Sequence, residues 1–247
     1  MSDRRRVLAE VEAGTGRVVA TVEGLDEEAV RAPSALPGWT RGHVATHIAR
    51  NADSLWNLLE WARTGVEIPQ YPSVEARNAA LEAGAGRSPA ELAQDVRAAG
   101  ERLSEQAARL PEAAWEATVR AMAGFPHPAW FVLYRRWQEV ETHHVDLAAG
   151  YGPSDWPDSY VHWALTGTLA DLEALSPGLR AGLDGHRLVA TDTADAADLG
   201  GAGPEISGSA RALLGWLTGR SSGEGLAARP EGPLPVPPPW PLEPGAF

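Results

Sequence analysis

The sequence predicts an N-terminal bundle of four long α-helices over residues 1–152, followed by a smaller α/β domain with a proline-rich tail over residues 153–247. Three observations carry this. Apolar residues recur at helical spacing from about Arg4 to Gly150. Proline and glycine divide that stretch into helix-length pieces, the pattern of a bundle. Beyond Gly150 the apolar runs shorten to strand length and an Asp-Gly pair signals a hairpin.

The first helix runs from Arg5 to Val22, with Val7, Leu8, Val11, Val18, Val19 and Val22 on its inner face. The stretch LPGWTRGH announces the second: Pro37 and Gly38 break the chain, Thr40 caps, and the pattern continues to Gly65. Its inward stripe is Val44, Ile48, Asn51, Leu55, Leu58 and Leu59. A third helical region spans Ser73 to Leu110, with a break near Gly84–Gly86 and a restart at Ser88-Pro89 as cap and first-turn proline. The fourth begins after Pro126 and Pro128 and ends at Gly150. One more helix lies in SDWPDSYVHWALTGTLADLEAL. GLRAGLDGHRLVATD reads as two short strands about Leu183–His186, and GPEISGSARALLGWLTGR as a strand leading into a helix capped near Gly208–Ser209. The tail after Arg229 holds too many prolines for a regular element.

Composition excludes several chemistries. The chain has no cysteine, so disulfides, thiolate metal sites and cysteine nucleophiles are out. All 21 basic residues are arginine, which removes Schiff-base chemistry and the P-loop lysine. A net charge of −12 argues against nucleic acid and requires a local arginine cluster for any anionic substrate. The longest apolar run, Ala129 to Tyr134, is too short to span a bilayer, and no signal-peptide core follows the basic start. A cytoplasmic protein without a membrane partner is expected.

The stretch QEVETHHVDL, residues 138–147, concentrates carboxylates and imidazoles. At about 100° per residue Glu139, His143, Asp146 and Leu147 share one helix face, while Glu141 and His144 form a second pair turned away. His43 and His47 are likewise four apart on the second helix. Two imidazoles and one carboxylate suit zinc or another divalent ion and leave one position open. Spacing alone leaves two blander readings in place: one buried and one solvated histidine, or a surface E-x-x-x-H contact.

LPGWTRGHVATHIARNADSLWNLLEWARTG together with RRWQEVETHHVDLAAGY resembles the mycothiol-dependent maleylpyruvate isomerase family, and the resemblance extends into SDWPDSYV and GPEISGSARALLGWLTGR. It implies a DinB-like four-helix metal-binding bundle and a sterol-carrier-like C-terminal domain. It implies divalent-metal ligation, most simply zinc, by His47, Glu139 and His143, with His43 and His144 flanking. It also implies two catalytic residues, Asp146 and an arginine placed at Arg220, with Arg211 as the other candidate on the same expected helix. Asp146 would orient either a ligand histidine or a cofactor amine.

The implied reaction is the cis–trans isomerisation of 3-maleylpyruvate to fumarylpyruvate in gentisate breakdown. Turning a cis double bond requires it to become single for a moment, and a thiolate does this by reversible addition. A chain without cysteine needs that thiol from outside, and mycothiol fits the gap. Zinc would hold the thiol as thiolate, and arginine would stabilise the enolate and clamp carboxylates. Two other readings compete: an S-transferase joining the thiol permanently to an electrophile, and a non-enzymatic metal-binding small-molecule sensor. A dicarboxylate substrate and a low-molecular-weight thiol are the expected partners, and a monomer is the expected state.

Overall fold

The computed structural model describes residues 3–201 and 203–240, which fall into two compact units dividing between Gly150 and Tyr151. In the first unit α1 spans Asp3–Glu23, α2 Glu27–Arg31, α3 Arg41–Thr64, α4 Val74–Ala85 and α5 Pro89–Arg109. Strands β1, Thr118–Arg120, and β2, Pro126–Pro128, then pair antiparallel ahead of α6, Phe131–Asp146. Helices α1, α5, α3 and α6 pack in a closed ring, each against the next, which is the four-helix bundle.

Local chemistry explains the boundaries. Thr40 accepts from the His43 amide while His43 Nδ1 accepts from the Thr40 amide, a reciprocal cap that starts α3. Gly65, at φ 72°, ends that helix in the left-handed conformation. Ser88 and Glu91 form the same reciprocal cap on α5, with Pro89 in its first turn. All six residues of the expected α3 stripe are buried, as are Val7, Val11, Val18, Val19 and Val22 of α1.

The structure departs from the sequence reading in places. Helix α2 and the β1–β2 hairpin stand where no element was expected. The hairpin pairs Val119 with His127, which sits between two prolines whose missing amides disfavour a strand. Helix α6 stops at Asp146 rather than Gly150, because Ala148 turns to φ 51° and Gly150 to φ 94°.

The second unit holds α7, Asp158–Ala174, then β3, Arg187–Ala190, β4, Ala196–Asp198, β5, Glu205–Gly208, α8, Ala210–Leu217, and β6, Ala227–Arg229. The sheet order is β4-β3-β5-β6, with β3 and β5 parallel and both outer pairs antiparallel. Helix α7 packs on α8 and β4. The expected hairpin about Leu183–His186 is corrected: Ala181–Leu183 is a single 3-10 turn, and β3 pairs instead with β4. The proline-rich segment up to Trp240 forms no regular element and packs back on this unit, with Pro235 close against Gly182. Among the described residues no helix is long and apolar enough to cross a membrane.

Glycine permits the closest helix approaches in the bundle. A Cβ on Gly42 would stand 2.2 Å from the Ala85 carbonyl oxygen, whereas one on Gly16 would meet nothing. Gly42→Ala should therefore destabilise the protein by about 1–3 kcal/mol, while Gly16→Ala, in exposed mid-helix, should stabilise it by about 0.5–1 kcal/mol. Chemical denaturation of the two variants beside the parent checks both signs.

Candidate metal centre

Helices α3 and α6 bring together three of the residues that the sequence singled out. His47 Nε2 lies 3.0 Å from Glu139 Oε2, and His143 Nε2 lies 3.3 Å from the same oxygen. The His47 and His143 rings meet edge to face with centroids 4.5 Å apart. One donor atom from each of the three residues falls within 4.8 Å of the other two. Both imidazoles are buried, and the Glu139 side chain keeps 13% of its exposure.

The donor set fits a divalent ion. Ligands held at about 2.0–2.1 Å on a tetrahedral ion stand roughly 3.3 Å from one another, which is the spacing of the two imidazole–carboxylate pairs. Asp146 Oδ2 lies 2.9 Å from His143 Nδ1 and is itself buried. An Nδ1–H donated there leaves the Nε2 lone pair directed at the centre, the usual carboxylate–histidine arrangement behind a metal. Asp146 thus faces His143, one of the three candidate ligands.

The electrostatics agree with a site built around charge. Burial opposes the Glu139 carboxylate, yet hydrogen bonds to His143 and His47 hold it well below the usual range. Burial alone would depress His143, but Asp146 and Glu139 outweigh it and push the imidazole up to about 9. Burial and the neighbouring His143 lower His47 instead.

The remaining histidines of the two motifs are engaged elsewhere. His43 completes the α3 cap and reaches Glu82 at 3.5 Å. His144 turns to α1, where its Nε2 lies 2.7 Å from Thr21 Oγ1, and Glu141 pairs with Arg17 on the same helix. Arg41 anchors the end of α6: Nε and Nη2 donate to the Leu147 and Ala148 carbonyls, each at 2.8 Å, while Nη1 donates to Ala29 of α2.

In the second unit, Arg211 donates twice to the Trp156 carbonyl and pairs with Asp158, so it serves the start of α7. Arg220 does not lie on α8, as the sequence reading had it. The helix ends at Leu217, and the stop explains the difference. Gly219, at φ 73°, donates to Trp216, and the Arg220 amide donates to Gly215, a Schellman closure. The Arg220 guanidinium donates to the Thr218 carbonyl at 2.6 Å and lies 5.1 Å from the centre of the Trp240 ring.

Two residues near the centre escaped the sequence reading. Trp39, in the Pro-Gly-Trp-Thr turn, places its ring 5.6 Å from that of His47. Arg136 lies one turn before Glu139 and is fully buried. Its signal was present, since 136, 140 and 143 follow the i, i+4, i+7 spacing of one helix face.

The fold is a four-helix bundle whose His47, Glu139 and His143 donors, on two adjacent helices, could hold a metal ion. The mycothiol maleylpyruvate isomerase N-terminal domain model matches residues 11–148, and the chain belongs to that family. Among solved structures, that of the mycothiol-dependent maleylpyruvate isomerase superposes with a TM-score of 0.85 at 28% identity, over 96% of this chain and 97% of that one. A histidine-to-alanine mutant of the mycothiol-dependent maleylpyruvate isomerase matches equally well, at a TM-score of 0.85. No curated protein matches the chain.

The geometry separates His143 from His144. His143→Ala or His47→Ala should abolish zinc retention on a desalting column, whereas His144→Ala should retain it at the parent's stoichiometry. Asp146→Asn should keep the fold and weaken zinc affinity roughly 10–100-fold, as loss of a partner behind a ligand does. Metal analysis and a chelator competition read both.

Proposed function

We propose that this chain isomerises 3-maleylpyruvate to fumarylpyruvate with mycothiol as cofactor, at a divalent centre held by His47, Glu139 and His143. Its family and structural relatives are isomerases, and the chain is an enzyme of that class. The observation that carries the finer reading is the convergence of the His47, Glu139 and His143 donor atoms in the bundle interior.

When bound, the ion would supply Lewis acidity that keeps the cofactor sulfur as thiolate, and the thiolate would supply the reversible addition that frees the cis double bond to rotate. The protein's own residues account for the rest. Two imidazoles and one carboxylate contribute a single negative charge, fewer than a thiolate-rich set would, and leave a ligand position open. Asp146 holds His143 in the tautomer that ligates. Trp39 places its ring 5.6 Å from that of His47, on the turn that precedes α3.

Positive charge for the substrate's carboxylates and for the enolate must come from arginine, because the chain has no lysine. We assign that role to Arg220. Arg211 is taken up at the start of α7, while the Arg220 backbone closes the end of α8 and its guanidinium lies over the Trp240 ring. A planar guanidinium pairs with a carboxylate in two parallel hydrogen bonds. Gentisate breakdown is the pathway this reaction serves.

Two experiments test the reading. The purified protein in thiol-free buffer should be inactive on maleylpyruvate, and sub-stoichiometric mycothiol should restore many turnovers with the thiol recovered. Activity without thiol would contradict the mechanism, and consumption of one thiol per product would indicate an S-transferase. Arg220→Ala should leave zinc content intact and lower kcat/KM by about 100-fold or more, with Arg220→Lys recovering only part. A parent-like Arg220→Ala would remove the arginine from the reaction.

A further inference from the structure

Arg136 is the least expected side chain of the bundle. It is among the largest fully buried side chains of the chain, with 0% exposure. Yet it makes no ion pair among the described residues. Nη1 donates to the Ile48 carbonyl at 2.7 Å and to Asn51 Oδ1 at 2.9 Å, and buried Nε and Nη2 have no hydrogen-bond partner there. A buried guanidinium served by only two neutral acceptors is costly, because desolvation of the charge is not matched by a facing carboxylate.

Its place in the helices suggests what the charge is for. Glu139 and His143 of α6 meet His47 of α3. One turn back along α6 lies Arg136, and one turn on along α3 lies Asn51, its acceptor. Ile48, the other acceptor, directly follows His47. The guanidinium therefore forms the next rung between the same two helices. Burial lowers its pKa from the ordinary arginine value to about 10, with the Glu139 carboxylate opposing that shift, so it stays a cation at neutral pH.

We propose that Arg136 sets the charge of the centre: as a fixed cation beneath the ligands it weakens their hold on a bare divalent ion and strengthens the bound ion's demand for an anionic further ligand such as a thiolate. This rests on the metal reading of His47, Glu139 and His143. The count supports it. An ion would bind only with both imidazoles neutral, so in the loaded site Glu139 and Asp146 would bring two negative charges and Arg136 would cancel one. A buried unit charge carried one helical turn from a ligand of a divalent ion changes binding constants by a factor of ten or more at an effective dielectric near 20. Arg136, His47 and His143 are all buried, so bulk solvent screens the interaction little. Arg136 touches neither substrate nor reacting atoms in this account. It is a positioning residue for charge.

The test uses the full-length protein and two probes, zinc alone and 2-mercaptoethanol, the latter added to cobalt-loaded protein at one fixed pH. Arg136→Met removes the charge and keeps much of the side-chain volume. It should bind zinc roughly 10–100-fold tighter than the parent in a chelator competition. The same variant should bind the thiol roughly tenfold or more weakly, read from the sulfur-to-cobalt absorption band. A side chain that only props up the core would loosen both, so opposite signs are the signature. Arg136→Lys, which keeps the charge and loses the fork, should stay near the parent in both constants while losing thermal stability. Arg136→Gln carries the same readout if Arg136→Met does not fold.

Zinc affinity unchanged or weaker in a folded neutral variant overturns the proposal. So does failure of both neutral variants to fold while Arg136→Lys folds, which would assign the charge to core stability. No zinc binding by the parent itself would instead remove the metal reading on which the inference rests.

Discussion

The candidate centre depends on one constraint: Glu139 Oε2 must stand 3.0 Å from one imidazole nitrogen and 3.3 Å from another, with all three donors within 4.8 Å among buried side chains. Left to themselves, two imidazoles and a carboxylate would each take their own water. Here the packing of α3 on α6 fixes the separation, because His47 lies on the same buried α3 stripe as Ile48, Asn51 and Leu55. The ligand face cannot rotate without exposing the apolar one. The end of α6 is secured as well, since Arg41 from the first turn of α3 holds the Leu147 and Ala148 carbonyls just beyond Asp146. The residues that start one helix thereby fix the end of the other.

Helix α6 is polar on more than one side, and this is what makes its sequence hard to read by amphipathicity. Arg136, Glu139 and His143 face α3, while Glu141 and His144 face α1. Every residue from Val140 to Leu147 is buried, so the helix runs through the bundle interior as a polar spine. Such a helix is stable only where each buried polar group finds a partner, because an unmatched one costs as much as several apolar contacts return. The pairings Glu141–Arg17, His144–Thr21 and His143–Asp146 meet that condition. Arg136 meets it least well, and that is why a role for its charge is worth seeking.

Much of the fold was legible because strong local signals agree with the tertiary outcome. Thr40, Ser88 and Ser209 begin helices where cap chemistry says they should. The breaks at Gly65 and Gly86 stand as expected. The elements that escaped are those whose local signal opposes the structure. Prolines 126 and 128 flank His127 in β2, where only the pairing with β1 makes a strand possible. Residues 196–198, Ala-Ala-Asp, have no strand propensity and owe β4 to the edge of β3. In the site, Glu139, His143 and Asp146 were readable from i, i+4, i+7 spacing, and their joining to His47 required the family resemblance as well. Arg136 was missed because a charged residue in a helix is ordinarily assigned to solvent, and only the three-dimensional neighbours Ile48 and Asn51 reverse that assignment.

The measurement that bears most directly on the centre is X-ray absorption at the metal edge of the zinc-loaded protein, before and after mycothiol is added. The account predicts a first shell of nitrogen and oxygen at about 2.0–2.1 Å with two imidazole signatures, and one sulfur at about 2.3 Å once the thiol is present. A shell without imidazole, or one that gains no sulfur with the thiol at saturation, would contradict it.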